Sequence, residues 1–323
     1  MDTRARAGLR AAADDPVVRA LADDGLYIGV TAWTDRTLVE SGELYPRGRA
    51  DAEERLRHYA SQFPLTEVDA TFYQPLAARN APLWVERTPP DFLFDVKAFR
   101  LFTHHPTPPA DLWRDLRDAL PDKLAAKPRI YVRDLAPEVR TEALRRFATA
   151  LDPLHDTGRL GLLLFQFPPY FYPSRRSWEY LVWLESELRD RRIGVEFRQS
   201  RWMDDEHREQ TLDYLTRLGL VYVCVDEPQG FAGSLPPVAV ATAELAAVRF
   251  HGRNAETWAV PGLSAAERYA YDYRTEELAE WVPRIEELHE GGRPVHLLFN
   301  NIYRGYAVRN ARTLARLLAE RAG

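Results

Sequence analysis

Cysteine is nearly absent. The 323 residues include one, Cys224, so no disulfide can form within the chain. That fits a reducing, cytoplasmic setting and leaves stability to the core. No apolar run approaches the ~18 residues a membrane-spanning helix needs, so no membrane partner is expected. Arg4, Arg6 and Arg10 are not followed by the apolar stretch of a signal peptide, and Asp14, Asp15, Asp23 and Asp24 argue against a transit peptide. A basic surplus is missing too: 43 Lys and Arg stand against 48 Asp and Glu, a net charge of −5. Such a chain has no overall electrostatic footprint for nucleic acid, although a local basic groove stays open. No strand is followed by a glycine-rich phosphate turn, and there is no G-x-S-x-G elbow for a nucleophilic serine. Neither H-x-H nor H-E-x-x-H spacing occurs, and the adjacent His104-His105 is poor chelating geometry.

What is present is an ordinary globular composition, 46% hydrophobic and 28% charged, with a repeating order of elements. Short β-branched runs fall at 26–31, 65–69, 92–97, 160–166, 193–198, 221–226, 246–251 and 295–300. Helical stretches at 52–61, 81–88, 141–151, 176–189, 206–218 and 274–289 lie between them, and 307–321 ends the chain. Eight alternating units predict an α/β fold of the (β/α)₈ TIM-barrel type over 26–323, with an open doubly wound sheet as runner-up. Residues 1–25 read as an N-terminal extension with one short helix over 15–21. The segments 98–159 and 252–294, after the third and seventh strands, exceed ordinary connections and are expected as walls or lids of the mouth.

Side chains alternate faces along a strand. In each run the bulky apolar set suits the helix layer, which turns the polar set inward. That rule sends inward Thr31, Glu67, Asp69, Asp95, Lys97, Gln166, Glu196, Arg198, Cys224, Asp226, Arg249 and His251, most of them near the strands' C-terminal ends, where barrel enzymes keep their active sites. A chain built for stability alone would place Val, Ile or Leu there, because an unpaired buried charge costs several kcal/mol. Mutually satisfied salt bridges are the competing explanation, and the deeper Glu67 and Asp95 suit it best.

Glu196 and Asp226, on neighbouring strands, could divide acid and base roles. His251 titrates in the useful range, and Lys97 is a general base or a paired cation. Arg198 and Arg249 could clamp a phosphate or carboxylate. Gln166, Asn300, Asn301 and Asp69 are expected to orient a ligand, with Trp33, Tyr73, Trp258 and Tyr273 as aromatic walls. No cofactor is specified. A divalent metal on Glu196, Asp226, Asp69 and His251 is the alternative, although the two arginines disfavour a cation. The expected partner is a small polar or anionic molecule; a non-catalytic barrel that binds a small molecule or nucleic acid is the further alternative, and oligomeric state is not specified. Arg304, Arg309, Arg312 and Arg316 read as the solvated face of the last helix rather than a nucleic-acid surface.

Several motifs are distinctive. Glu67-Val68-Asp69-Ala70-Thr71-Phe72-Tyr73, Phe165-Gln166-Phe167-Pro168-Pro169, Val195-Glu196-Phe197-Arg198, Arg249-Phe250-His251-Gly252-Arg253, Tyr271-Asp272-Tyr273, Phe299-Asn300-Asn301 and Gly305-Tyr306-Ala307-Val308-Arg309-Asn310-Ala311 occur in that order. Together they resemble the YecE-like family, domain of unknown function 72, over about residues 26–318. The resemblance implies a TIM barrel and no particular reaction; hydrolysis, isomerisation and elimination all stay open. A remote likeness to sugar-isomerase and endonuclease-IV-like barrels is fold-level analogy; metal-assisted phosphodiester or sugar chemistry, the alternative that the ligand types of Glu196, Asp226, Asp69 and His251 allow, resembles what those barrels do. The chain departs from the pattern at Val30-Thr31-Ala32, at Asp69 where Asn is usual, at Gln199-Ser200 and at Ile302. These positions touch the expected mouth, so the family's substrate choice does not carry over automatically.

Overall fold

Each of the eight runs forms a strand, and the strands pair in chain order, all parallel, into a closed barrel. The computed structural model describes residues 14–45 and 51–322. The strands are β1 Leu26–Thr31, β2 Leu65–Val68, β3 Leu93–Lys97, β4 Leu160–Gln166, β5 Ile193–Glu196, β6 Val221–Asp226, β7 Ala246–Phe250 and β8 Val295–Phe299. Four stop short of the expected ends: Asp69, Arg198, His251 and Asn300 lie past the last ladder residues of β2, β5, β7 and β8. The ladder gives way to loops at this rim, which is where the polar side chains gather.

Local chemistry sets the helices. Ser174 caps Arg175–Glu187 by accepting from the Ser177 N–H, and Gly219, at φ 64°, closes Arg208–Leu218 in the left-handed region. Pro137 begins Pro137–Thr149, a few residues before the expected start, because proline is preorganised for the first helical turn. The expected helix 274–289 is two, Thr275–Ala279 and Val282–Leu288, since Pro283 lacks the N–H to continue the first. In the expected extension, Pro16–Asp23 is capped by Asp15 and buries Val18 and Leu21, packing beside β1 and the terminal helix Tyr306–Ala322. Residues 1–13 lie outside the described residues. Among the described residues no helix is long and apolar enough to cross a membrane.

The lumen is filled, not hollow. Leu162 and Leu164 of β4, Val221 and Val223 of β6 and Ala247 of β7 pack there as a cluster separate from the core between strands and helices. Asp95 of β3 reaches across to His296 of β8, 2.9 Å away. Gly161 makes room for this pair: a Cβ there would lie 2.4 Å from Asp95 Oδ1 and 2.8 Å from His296 Cε1.

The expected facing holds for β2, β3, β4, β5 and β7 and fails for β6. Val221 and Val223 face the lumen, while Tyr222 and Cys224 join the outer core. Both faces of β6 are apolar up to residue 225, so the sequence offers no polar contrast to set its phase. The expected phase places Asp226 in the mouth; the observed one places Glu227 there.

Candidate active site

Arg249, rising from β7 into the barrel axis, is 1% exposed. Its Nε and Nη2 donate to the two oxygens of Glu67 on β2 at 2.8 and 2.7 Å, and Nη1 donates to Glu196 on β5 at 2.5 Å. These strands are not neighbours, so the bonds cross the lumen. Glu196 also accepts from Gln166 Nε2 and Arg198 Nε, both at 2.7 Å. Arg198 Nη1 donates to Glu227 at 2.9 Å, and the Leu235 N–H holds the other Glu227 oxygen at 2.7 Å. His251 Nε2 lies 2.9 Å from Arg198 Nη2 and 3.2 Å from Glu196 Oε1. Its Nδ1 lies 3.0 Å from Asn300, which Thr31 braces at 2.9 Å. If Asn300 donates to Nδ1, the ring proton sits on Nε2 and points at Glu196; with the amide turned over, Nε2 accepts from Arg198.

Burial and pairing divide these groups. Burial pushes Glu196 up, but Arg249 and Arg198 outweigh it and hold the carboxyl well below its usual range. Burial pushes Glu67 up to about 7 against the pull of Arg249 and Lys97. It does the same to Glu227, also to about 7, against Arg198. Burial, reinforced by Arg198, drives the His251 imidazole down to about 3, so the ring is neutral. Lys97 pairs with Asp69 at 2.9 Å and lies 4.5 Å over the Phe72 ring. Burial opposes the Lys97 charge, but Asp69 more than restores it.

Glu227 gives a pH prediction. Its folded pKa lies above the unfolded value, so the penalty for ionising it is absent below about pH 4.5 and complete above about pH 7. Relative to Glu227→Gln, the wild type therefore loses up to about 3 kcal/mol as pH rises through that window. Urea denaturation of both proteins at pH 5 and pH 8 measures the difference; a gap that does not move, or moves the other way, contradicts it.

Above this network opens a pocket of about 380 Å³, lined by Gln166, Phe167, Arg198, Trp258, Tyr269 and His105. Arg198 is the charged member of the central network that reaches it, beside Gln166, with 10% of its side chain exposed against 1% for Arg249 and 0% for His251. Among the described residues each of its three nitrogens has one partner within hydrogen-bond distance, and a guanidinium carries five N–H bonds, so at least two are left for a ligand. Trp258 packs against it, 5.3 Å from guanidinium carbon to ring centroid.

The structure thus brings together Gln166, Glu196, Arg198, Arg249, His251, Asn300 and Trp258, with Lys97 and Asp69 on the β2–β3 arc. Tyr73, half exposed, stands at the outer rim beside Phe72. Other expectations are corrected. Asp226 points out of the barrel and binds Arg253, Tyr273 and Trp281, so it cannot act with Glu196 as an acid–base pair. Tyr273 is buried behind the wall on that carboxylate. Asn301 faces away from the mouth and donates to the Tyr271 carbonyl and Asn310. Trp33 packs edge-on against Trp84 and Phe94 in the outer core. Arg249 is consumed by two carboxylates and is no ligand clamp. The metal alternative loses its geometry with Asp226, and among the described residues no three His, Cys, Asp or Glu side chains are grouped to hold an ion.

Sequence reasoning missed Glu227, His105 and Tyr269. Continuing the valine phase of β6 finds Glu227. Burial pushes His105 down to about 4, and it braces on Thr103 Oγ1 at 2.9 Å. No strand periodicity reaches His105 or Tyr269, which lie in loops.

Residues 27–323 match the profile of the family described as Protein of unknown function DUF72. The chain is 34% identical over 297 residues to the UPF0759 protein YunF of Bacillus subtilis, covering 91% of this chain and 94% of that one. Among solved structures, a DUF72 family protein of Thermotoga maritima is similar at TM-score 0.70 and 29% identity, covering 91% of this chain and 99% of that one. A DUF72 family protein of Enterococcus faecalis shares the fold at TM-score 0.73 and 24% identity, covering 91% and 95%.

Proposed function

The chain belongs to the DUF72 family, and from that premise we propose that its barrel mouth is the active site of an enzyme acting on a small polar ligand that bears an oxyanion, a sugar phosphate or sugar acid by class. One observation carries this reading. Arg198 extends from the buried network into the pocket with at least two N–H bonds that have no protein partner among the described residues. A guanidinium held by two fixed carboxylates, Glu196 and Glu227, does not reorganise when an anion arrives, which is the condition for strong oxyanion recognition. Gln166 stands beside it, oriented by its bond to Glu196, and can accept from a hydroxyl through its carbonyl oxygen. Trp258 and Tyr269 offer flat apolar faces suited to a sugar ring. Lys97, kept as an ammonium by Asp69, adds a second cation on the β2–β3 arc.

Here Glu196 and His251 are positioning residues. Neither exposes side-chain surface, and each fixes the orientation of Arg198.

The test is calorimetric titration with glucose 6-phosphate, gluconate and glucose. The two anions are expected to bind more tightly than glucose, and Arg198→Ala to weaken them at least about tenfold. Because Arg198→Ala also strips a donor from Glu196 and Glu227, Trp258→Ala serves as a second variant that leaves the ion pairs intact; it is expected to weaken both anions several-fold. Equal binding of glucose and the anions, or anion binding that survives both variants, overturns the reading.

A further inference from the structure

The His104–His105 turn separates two cavities. His105 lines the mouth, while His104 lines a larger cavity of about 570 Å³ beside it. The long β3–β4 segment builds much of this second space. Tyr131 and Arg133 come from the turn around Val132–Asp134, pinned by the Thr107–Ile130 bridge and by Asp134 accepting from the Tyr131 N–H. Arg140 comes from Pro137–Thr149, Arg176 from Arg175–Glu187, and Tyr170 and Tyr172 from the loop after β4.

Three guanidiniums therefore line one cavity, and among the described residues none of them has a carboxylate partner. Their neighbours do: Arg145 and Arg146 pair with Glu142, and Arg175 takes Glu179, the one carboxylate on the cavity wall, at 2.8 Å. Two of the lining residues, Arg140 and His104, have a buried nitrogen (Nε and Nε2) with no hydrogen-bond partner among the described residues, an arrangement that costs free energy unless something satisfies it. Aromatic rings hold two of the guanidiniums: Arg140 lies 4.2 Å over Trp183, and Arg133 lies 4.8 Å over Tyr131. Stacking fixes the guanidinium faces and leaves the N–H edges for an anion. Tyr170 and Tyr172, which also line the cavity, are 52% and 50% exposed, so their rings are open to a ligand.

We propose that this cavity is a second binding site, distinct from the mouth, for a phosphate monoester carried on a flat ring, a ligand of mononucleotide size. The phosphate lies among Arg133, Arg140 and Arg176, His104 Nε2 supplies one more hydrogen bond, and the ring lies against Tyr170 and Tyr172. The volume falls in the range of small-molecule sites. Because Arg198 takes no part, the proposal stands or falls independently of the reading of the mouth.

The test titrates the full chain with adenosine 5′-monophosphate, adenosine and inorganic phosphate. The monophosphate is expected to bind more tightly than either fragment. Arg133→Ala/Arg176→Ala, which removes two exposed side chains and so preserves the fold, is expected to weaken it at least about tenfold. Trp258→Ala, in the mouth, should leave it within about twofold of wild type. The imidazole signals of His104 should move on titrating the wild type and stay still in the double variant. The proposal is overturned by no saturable binding up to about 10 mM, by adenosine matching the monophosphate, by phosphate matching it, or by loss in Trp258→Ala in place of the double variant.

Discussion

Replacing Arg249 by methionine is expected to destabilise the protein by about 3–5 kcal/mol, more than any other single change in the mouth. Methionine fills much of the same volume, so the loss is one of charge compensation rather than packing. Glu67 would lose both of its guanidinium bonds, whereas Glu196 would lose one and keep Arg198 and Gln166. Adding Glu67→Gln to Arg249→Met should therefore recover a larger share than adding Glu196→Gln. pH gives an independent check. Burial already holds Glu67 near 7 with Arg249 present, and removing the cation raises it further. At pH 5 the carboxyl of the variant is neutral and little penalty remains; at pH 8 ionising it is costly. The destabilisation, read from urea unfolding, should thus be smaller at pH 5 than at pH 8. A loss below about 1 kcal/mol at both pH values would mean that Arg249 does not compensate buried charge.

The architecture was legible because two signals agreed. Strand runs with period two alternated with helical runs eight times, and closure of eight parallel strands leaves no edge. Within strands, Val195/Glu196 and Val248/Arg249 show why the site was partly legible: one parity is apolar, the other charged, and only the lumen offers the charged set partners. Where the contrast vanishes, so does the information. Val221 to Val225 is apolar on both faces, so the sequence leaves the phase of the strand open, and with it the choice between Asp226 and Glu227 for the mouth. Asn300 and Asn301 make the same point over one residue. Their amides are chemically equal, but the first bonds to His251 in the mouth and the second holds Asn310 of the last helix. His105 and Tyr269 lie in loops whose path depends on packing among residues distant in sequence, which no local period encodes.

Asp226→Ala is expected to cost about 3–5 kcal/mol of stability while sparing the chemistry of the mouth. The carboxylate is 2% exposed and accepts from Tyr273 Oη at 2.6 Å, Trp281 Nε1 at 2.6 Å and Arg253 Nη2 at 2.7 Å. Tyr273 and Trp281 are themselves buried, so alanine strands two donors and leaves the partly buried Arg253 guanidinium with Glu280 as its one carboxylate partner among the described residues. Asp226→Asn keeps the shape and one acceptor oxygen, and about 1–3 kcal/mol is the corresponding loss. Arg253 begins the loop that carries Trp258 and Tyr269, so a several-fold change in mouth affinity is compatible with a purely structural role. Thermal unfolding and anion titration on the same Asp226→Asn sample separate the roles. A structural Asp226 lowers the unfolding temperature and leaves affinity closer to wild type than Arg198→Ala does. An unchanged unfolding temperature with a loss as large as that of Arg198→Ala would return Asp226 to the reacting site and require β6 to turn its other face to the lumen.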